Sequence, residues 1–144
     1  MRLSVIVPGY NTPDALWRRC LDSVLRATSE SDEIVCVDDG SRSRPSVLQE
    51  YVSAYPRVRA VYLERNRGQS AARNEALKIA TGEFVTFVDS DDMIKPRMLE
   101  DMLASACQYN SDIVFDGLKW CDKDYNVYRI EMIQIADGSY GKEE

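Results

Sequence analysis

The 144 residues predict an α/β domain of three layers, with helices on both faces of a mostly parallel sheet. Three observations carry this. Short apolar runs alternate with segments of helical period, giving a β-α-β-α-β-α-β-α-β order. The length suits one domain with one core. Polar, turn-forming motifs occupy four successive strand ends, at Pro8 to Asn11, Asp38 to Ser41, Asn66 to Gly68, and Asp89 to Asp92.

The first strand, Leu3 to Val7, is stopped by Pro8-Gly9-Tyr10-Asn11. Proline removes a ladder donor, and glycine and asparagine permit a sharp turn. Thr12 offers an N-cap and Pro13 a first helical residue. Leu16, Cys20, Leu21, Val24 and Leu25 then recur at helical spacing. After the polar loop Ser29 to Asp32, Ile34 to Val37 is the second strand, ending in Asp38-Asp39-Gly40-Ser41. Pro45 opens a second helix with Val47, Leu48, Tyr51, Val52 and Tyr55 on one side, and Val58 to Leu63 is the third strand. Asn66-Arg67-Gly68-Gln69-Ser70 leads into a third helix, Ala71 to Ala80, whose alanines allow close packing on a sheet. Thr81-Gly82 ends it. Phe84 to Val88 is β-branched and aromatic, reads as a buried fourth strand, and runs into Asp89-Ser90-Asp91-Asp92. Pro96 starts a fourth helix with Met98, Leu99, Met102, Leu103 and Ala106 inward. Asp112 to Phe115 is expected as a fifth strand and Tyr125 to Ile135 as a sixth. The folded domain is expected to span residues 1–136, with 137–144 a polar, disordered tail.

Composition narrows the function. The net charge of −6, with no run of basic residues, argues against a nucleic-acid partner. No stretch approaches the roughly 20 apolar residues of a membrane span, and the start is not a signal peptide. The expected location is the cytoplasm, with the inner membrane face as the alternative. Four cysteines lie far apart with no C-x-x-C pair, so reduced thiols are expected. The absence of histidine removes Ser-His-Asp triads, Cys-His dyads and His-ligated zinc. Chemistry is left to carboxylates, a metal, Lys, Arg, Tyr or the substrate itself.

In sheets of this kind ligands sit outside the carboxyl ends of the strands, near the point where strand order switches. Acids at two of these ends exceed what turns require. Two carboxylates about 5 Å apart repel by roughly 3 kcal/mol at an effective dielectric of 20. Three within Asp89 to Asp92 therefore call for something positive. Mg²⁺ or Mn²⁺ suits such oxygen ligands; a helix cap with salt bridges to Lys95 and Arg97 is the alternative. No G-x-G-x-x-G follows the first strand and no G-x-x-x-x-G-K-[ST] occurs, so dinucleotide dehydrogenases and P-loop NTPases fit poorly. A metal at Asp91 suits the two phosphates of a nucleoside diphosphate. Acids at the second strand end suit hydrogen bonds from a base N–H or ribose hydroxyls.

These motifs make the chain resemble the N-terminal, nucleotide-sugar-binding half of a family 2 glycosyltransferase of the inverting, Rossmann-like GT-A group. The matching stretches are Ser4 to Asn11, Glu33 to Ser41, Asn66 to Asn74 and Gly82 to Asp92, the last holding the D-x-D as Asp89-Ser90-Asp91. The likeness covers about residues 1 to 135. It implies a nucleotide site formed by Pro8, Tyr10, Asn11, Asp38, Asp39, Arg73, Asp89 and Ser90. In that site Pro8 and Tyr10 line the base pocket, Asp39 accepts from the base, and Asp38 supports its loop. Arg73 sits against the nucleotide or its acidic neighbours, and Asp89 contacts ribose or metal-bound water. The implied metal, Mn²⁺ or Mg²⁺, falls to Asp91 with Asp89.

The implied reaction displaces a nucleoside diphosphate, UDP being the family's commonest, from a sugar. A saccharide or lipid-linked acceptor hydroxyl attacks, with inversion. Asn11 and Asn74 read as structural rather than catalytic, and Trp17 and Trp120 as packing residues. Family members carry a second half that binds the acceptor and supplies a general base. None of Asp122, Asp124, Glu131, Asp137, Glu143 and Glu144 has a context that nominates it as that base. The expectation is a donor-binding half, truncated or encoded by a short reading frame, with weak or no transfer alone. Peripheral membrane association stays open, as does a homodimer formed over apolar surface that a missing half would leave exposed. The competing readings are a receiver-like phosphoacceptor, a metal-dependent nucleotidyltransferase and a non-catalytic nucleotide-binding module. The first wants an acidic pair after strand one, the second a glycine- and Lys/Arg-rich loop there, and neither is present.

Overall fold

Glu33–Asp38 (β2) is buried along its whole length, which places it inside a sheet covered on both faces. The computed structural model describes residues 2–115, 117–121 and 127–131. Leu3–Gly9 (β1) pairs with β2 in parallel, Ser4 opposite Glu33 through Gly9 opposite Asp38. Val58–Tyr62 (β3) flanks β2 on its other side, and Phe84–Phe87 (β4) flanks β1. The order is β3-β2-β1-β4, all parallel. The chain steps outward from β1 to β3, then crosses back to the far side of β1.

Asp14–Ala27 (α1) and Ser46–Ala54 (α2) connect the first three strands and pack against each other. Cys20 of α1 lies close to Cys36 of β2. Val35 and Val37, which alternate with Cys36, instead join Ile6 in a cluster with Ala72 and Ala76 of Gln69–Leu77 (α3). Because strand side chains alternate, α1 and α3 cover opposite faces of the sheet. The two alanines of α3 are fully buried, as close helix–sheet packing requires. Trp17 is fully buried and is a packing residue. The parallel sheet and its helices are therefore as expected.

The structure corrects several local expectations. Thr12 is not a cap: the N-cap of α1 is Pro13, with no side-chain cap bond, and the Thr12 hydroxyl bonds Ser90 at 2.7 Å. β4 is not a buried strand. It terminates the four-stranded sheet, and Val85 and Phe87, on the α3 face with Ser4 and Ile6, are 39% and 44% exposed. No strand forms at 111–115; Leu118–Cys121 (β5) pairs antiparallel with Val127–Glu131 (β6) in a separate two-stranded sheet. Burial by β4's apolar run needed a neighbour on both sides, and its own composition does not record whether one exists.

The chain divides into two compact units, Met1–Glu100 and Asp101–Glu144. The first holds the parallel sheet, and Met98–Tyr109 (α4) begins at its end. No helix among the described residues is long and apolar enough to cross a membrane. The expected tail at 137–144 lies outside the described residues, as do Asp122 and Asp124.

Candidate functional site

The crossing from β3 to β4 leaves the carboxyl ends of β1 and β4 adjacent but leading into connections that run opposite ways, the place where open α/β sheets form a crevice. A cleft of about 400 Å³ lies there. The turn after β1 contributes Pro8, Gly9, Tyr10 and Thr12, and the end of β2 contributes Asp39. Asn66, Gln69 and Ala72 come from the approach to α3 and its first turn, and Asp89, Ser90 and Asp91 from the segment after β4. The two turns that flank it are tightly joined. Ser90 N–H donates to the Pro8 carbonyl at 3.3 Å, and a Cβ at Gly9 would sit 2.6 Å from Ser90 Oγ and collide with the Trp17 ring. Only glycine permits that approach.

The acids that face this edge differ in their bonding. Asp39 is buried, and its two carboxylate oxygens accept the Arg67 and Gly68 N–H groups at 2.9 and 2.8 Å. It therefore holds the loop that starts α3, while each oxygen keeps a second lone pair. Gly40, at φ +69°, packs on the Arg65 backbone and completes that turn. Asp38 is buried behind the cleft and accepts both the N–H and the hydroxyl of Ser41. Ser41 Oγ accepts the Asn11 N–H at 2.7 Å, and Asn11 Oδ1 accepts the Arg42 N–H at 3.0 Å. Asp38 and Asn11 thus join the turns after β1 and β2 and do not line the cleft.

Asp89 Oδ1 accepts Gln69 Nε2 at 2.7 Å and Arg73 Nη2 at 2.9 Å. The Arg73 guanidinium also lies over the Phe87 ring, 5.1 Å from its centroid, and its Nε is buried without a hydrogen-bond partner among the described residues. Asp91 is exposed to the cleft and takes no hydrogen bond or ion pair from a described residue. The alternative of salt bridges to the following helix is not realised: Arg97 pairs with Glu100 at 3.8 Å, and no ion pair joins Lys95 to these acids among the described residues. The uncompensated charge is felt by its neighbours. Desolvation, then Asp91 and Asp89, raise the pKa of Asp92. Burial first, and then Asp92, Asp91 and Asp89, push the Cys20 thiol up to about 12.

Of the residues singled out from sequence, Pro8, Tyr10, Asp39, Asp89, Ser90 and Asp91 meet in the cleft, and Arg73 touches it through Asp89. Thr12, Asn66, Gln69 and Ala72 were not assigned to it. Gln69 had one signal available, its position four residues before Arg73, which puts both on one face of a helix. No group of three or more acidic or cysteine side chains is arranged to hold a metal ion among the described residues. One unpartnered carboxylate with a second beside it fits a hard cation that completes its shell with phosphate oxygens and water, as Mg²⁺ commonly does.

A family model described as "Glycosyl transferase family 2" matches residues 4–141. An uncharacterized glycosyltransferase, YibD, of Escherichia coli strain K12 is 36% identical over 124 residues, covering 85% of this chain and 36% of its own length. The crystal structure of S. aureus TarS 1-349 in complex with UDP-GlcNAc matches 78% of this chain and 33% of that one, with a TM-score of 0.68 and 36% identity. The mannosyltransferase PcManGT from Pyrobaculum calidifontis, in complex with GDP-Man and Mn²⁺, matches 84% of this chain and 35% of that one, with a TM-score of 0.64 and 31% identity. The chain thus spans about a third of the length of each of these matched chains.

Proposed function

This chain belongs to glycosyl transferase family 2, and we propose that its cleft binds a nucleoside-diphosphate sugar, a UDP-sugar in the first instance, together with Mn²⁺ or Mg²⁺. The sugar is then transferred to an acceptor hydroxyl with inversion. The observation that carries this reading is the meeting of Asp39, just after β2, with Asp89 and Asp91, just after β4, around one cleft in which Asp91 has no protein partner among the described residues. TarS with UDP-GlcNAc and PcManGT with GDP-Man and Mn²⁺ support it as structural neighbours.

In this reading Pro8 and Tyr10 flank the base, and Asp39 accepts its N–H through a lone pair that the Arg67 and Gly68 amides leave free. Asp38 and Asn11 hold the base-side turns from behind rather than touching the nucleotide. Asp89 and Ser90 orient the ribose, with Arg73 on Asp89, and Asp91, beside Asp89, holds the cation. A divalent cation supplies charge neutralisation to a diphosphate leaving group. We propose residues 1–136 as the nucleotide-binding domain, with the cleft within the unit Met1–Glu100. The general base and the site for a saccharide or lipid-linked acceptor are assigned to the part of the relatives that this chain does not span. Cytoplasmic location, at the inner membrane face where the acceptor is lipid-linked, belongs to the same proposal.

Calorimetric titration of UDP in the presence of Mn²⁺ tests it. The expected result is binding that EDTA abolishes and that Asp91→Ala weakens at least about tenfold, the loss of one charge-assisted ligand. Absence of heat with the unaltered chain, or unchanged affinity in the variant, overturns the assignment. GDP in a parallel titration reports the base preference.

A further inference from the structure

Asp89 and Asp91 are two residues apart and share one cleft, yet they are built differently. Both donors that reach the Asp89 carboxylate among the described residues come from one face of α3: Gln69 is its first residue and Arg73 lies four further on. Both land on the same oxygen, Oδ1, so the carboxylate plane is held while Oδ2 takes no protein hydrogen bond among the described residues. The fork is itself anchored. Gly68, at φ +89°, precedes Gln69, and the Arg67 and Gly68 amides are clamped by Asp39. The acid at the end of β2 thereby sets the first turn of α3, which sets the acid at the end of β4. Asp91 has no such support among the described residues.

We propose that Gln69 is a positioning residue that, with Arg73, holds Asp89 Oδ1 and presents Oδ2 to a hydroxyl of the bound nucleotide sugar, leaving the cation mainly to Asp91. The inference rests on the nucleotide-sugar reading of the cleft and adds to it a residue, Gln69, that the reading leaves unassigned. A cation placed between both carboxylates equally would compete with the Arg73 charge already on Asp89. A hydroxyl donor has no such conflict, since it needs only one free acceptor lone pair. Gln69 suits the task because its amide donates without adding a second positive charge, so the negative potential at Asp91 is kept for the ion.

The test is a double-mutant cycle on UDP affinity, using Gln69→Ala, Asp89→Ala and the double variant, each measured across a Mn²⁺ titration in the full chain. Gln69→Ala is expected to weaken UDP about tenfold, as for one hydrogen bond to a charged group, with the Mn²⁺ midpoint unmoved. The double variant is expected to match Asp89→Ala alone, because Gln69 acts through Asp89. Additive losses, or a Gln69→Ala variant that binds UDP like the unaltered chain, overturn the proposal. A Mn²⁺ midpoint that moves with Gln69→Ala as far as it does with Asp91→Ala overturns it as well. Failure of the unaltered chain to bind UDP removes the underlying reading and this inference with it; binding by the unaltered chain with a silent Gln69→Ala removes the inference alone. A thermal scan of Gln69→Ala is expected to match the unaltered chain, since the side chain lies at the exposed start of α3.

Discussion

At the amino end of the sheet Glu33 is nearly enclosed, and both its carboxylate oxygens are engaged by the fold. Its Oε1 accepts from the Ser4 hydroxyl and from the Thr81 N–H and hydroxyl, while Oε2 meets Arg59, with Arg2 at 3.7 Å. At the carboxyl end of the same sheet Asp91 faces a cleft with no protein donor among the described residues, and Asp92 and Asp89 stand beside it. Asp39 lies between these extremes, with one backbone donor on each oxygen. A carboxylate that serves the fold is saturated by the fold. One that serves a ligand keeps an open valence, and the chain tolerates the repulsion that results.

The contrast can be broken first at its saturated end. Glu33→Ala removes the acceptor of the buried Ser4 hydroxyl, of the Thr81 N–H and hydroxyl, and of Arg59, whose side chain is 40% exposed. Leaving a buried donor without its acceptor costs about 1–3 kcal/mol, and more where the lost group is charged, so urea denaturation is expected to show a loss of about 3 kcal/mol or more. Acid reports the same network more gently. Burial by itself would raise the Glu33 pKa, but the bonds from Ser4 and Thr81 and the Arg59 charge bring it down to about 2, from an ordinary 4.5. A carboxylate whose folded pKa is depressed adds stability above its unfolded pKa and loses it as the pH falls toward the folded one. Unfolding free energy is therefore expected to decline between about pH 4.5 and 2 by roughly 3 kcal/mol from this group. Glu33→Gln flattens that limb; an unchanged slope would remove Glu33 as its source.

The open end is expected to respond with the opposite sign and least strongly. Asp91→Asn relieves repulsion among exposed charges, so a gain of up to about 1 kcal/mol in the metal-free protein is expected, shrinking as salt is added. Chemical denaturation at low and high ionic strength measures it. A loss of stability instead would show that Asp91 already has a structural partner, and would erase the distinction between the two ends.

Much of this was legible in order and spacing. Alternating apolar runs and helical segments announced a parallel sheet, and the polar motifs after Val7, Val37, Leu63 and Val88 marked the edge where the cleft lies. Burial was less legible. Phe84 to Val88 has the composition of an interior strand, but β4 ends the described sheet and shows Val85 and Phe87 to solvent on one face. Thr12 has the composition of a cap, but a hydroxyl on Ser90 of the neighbouring turn captured it.

By itself the sequence determined the first four strands and the four helices, the parallel character of the sheet and which four turns carry polar chemistry, because these follow from local periodicity and turn propensity. Only the tertiary structure decided which acids are spent on the fold and which stay open. Gln69 reaches Asp89 across 20 residues and Thr81 reaches Glu33 across 48. A carboxylate's partners are chosen by where distant elements dock, and no window of neighbouring residues contains that information.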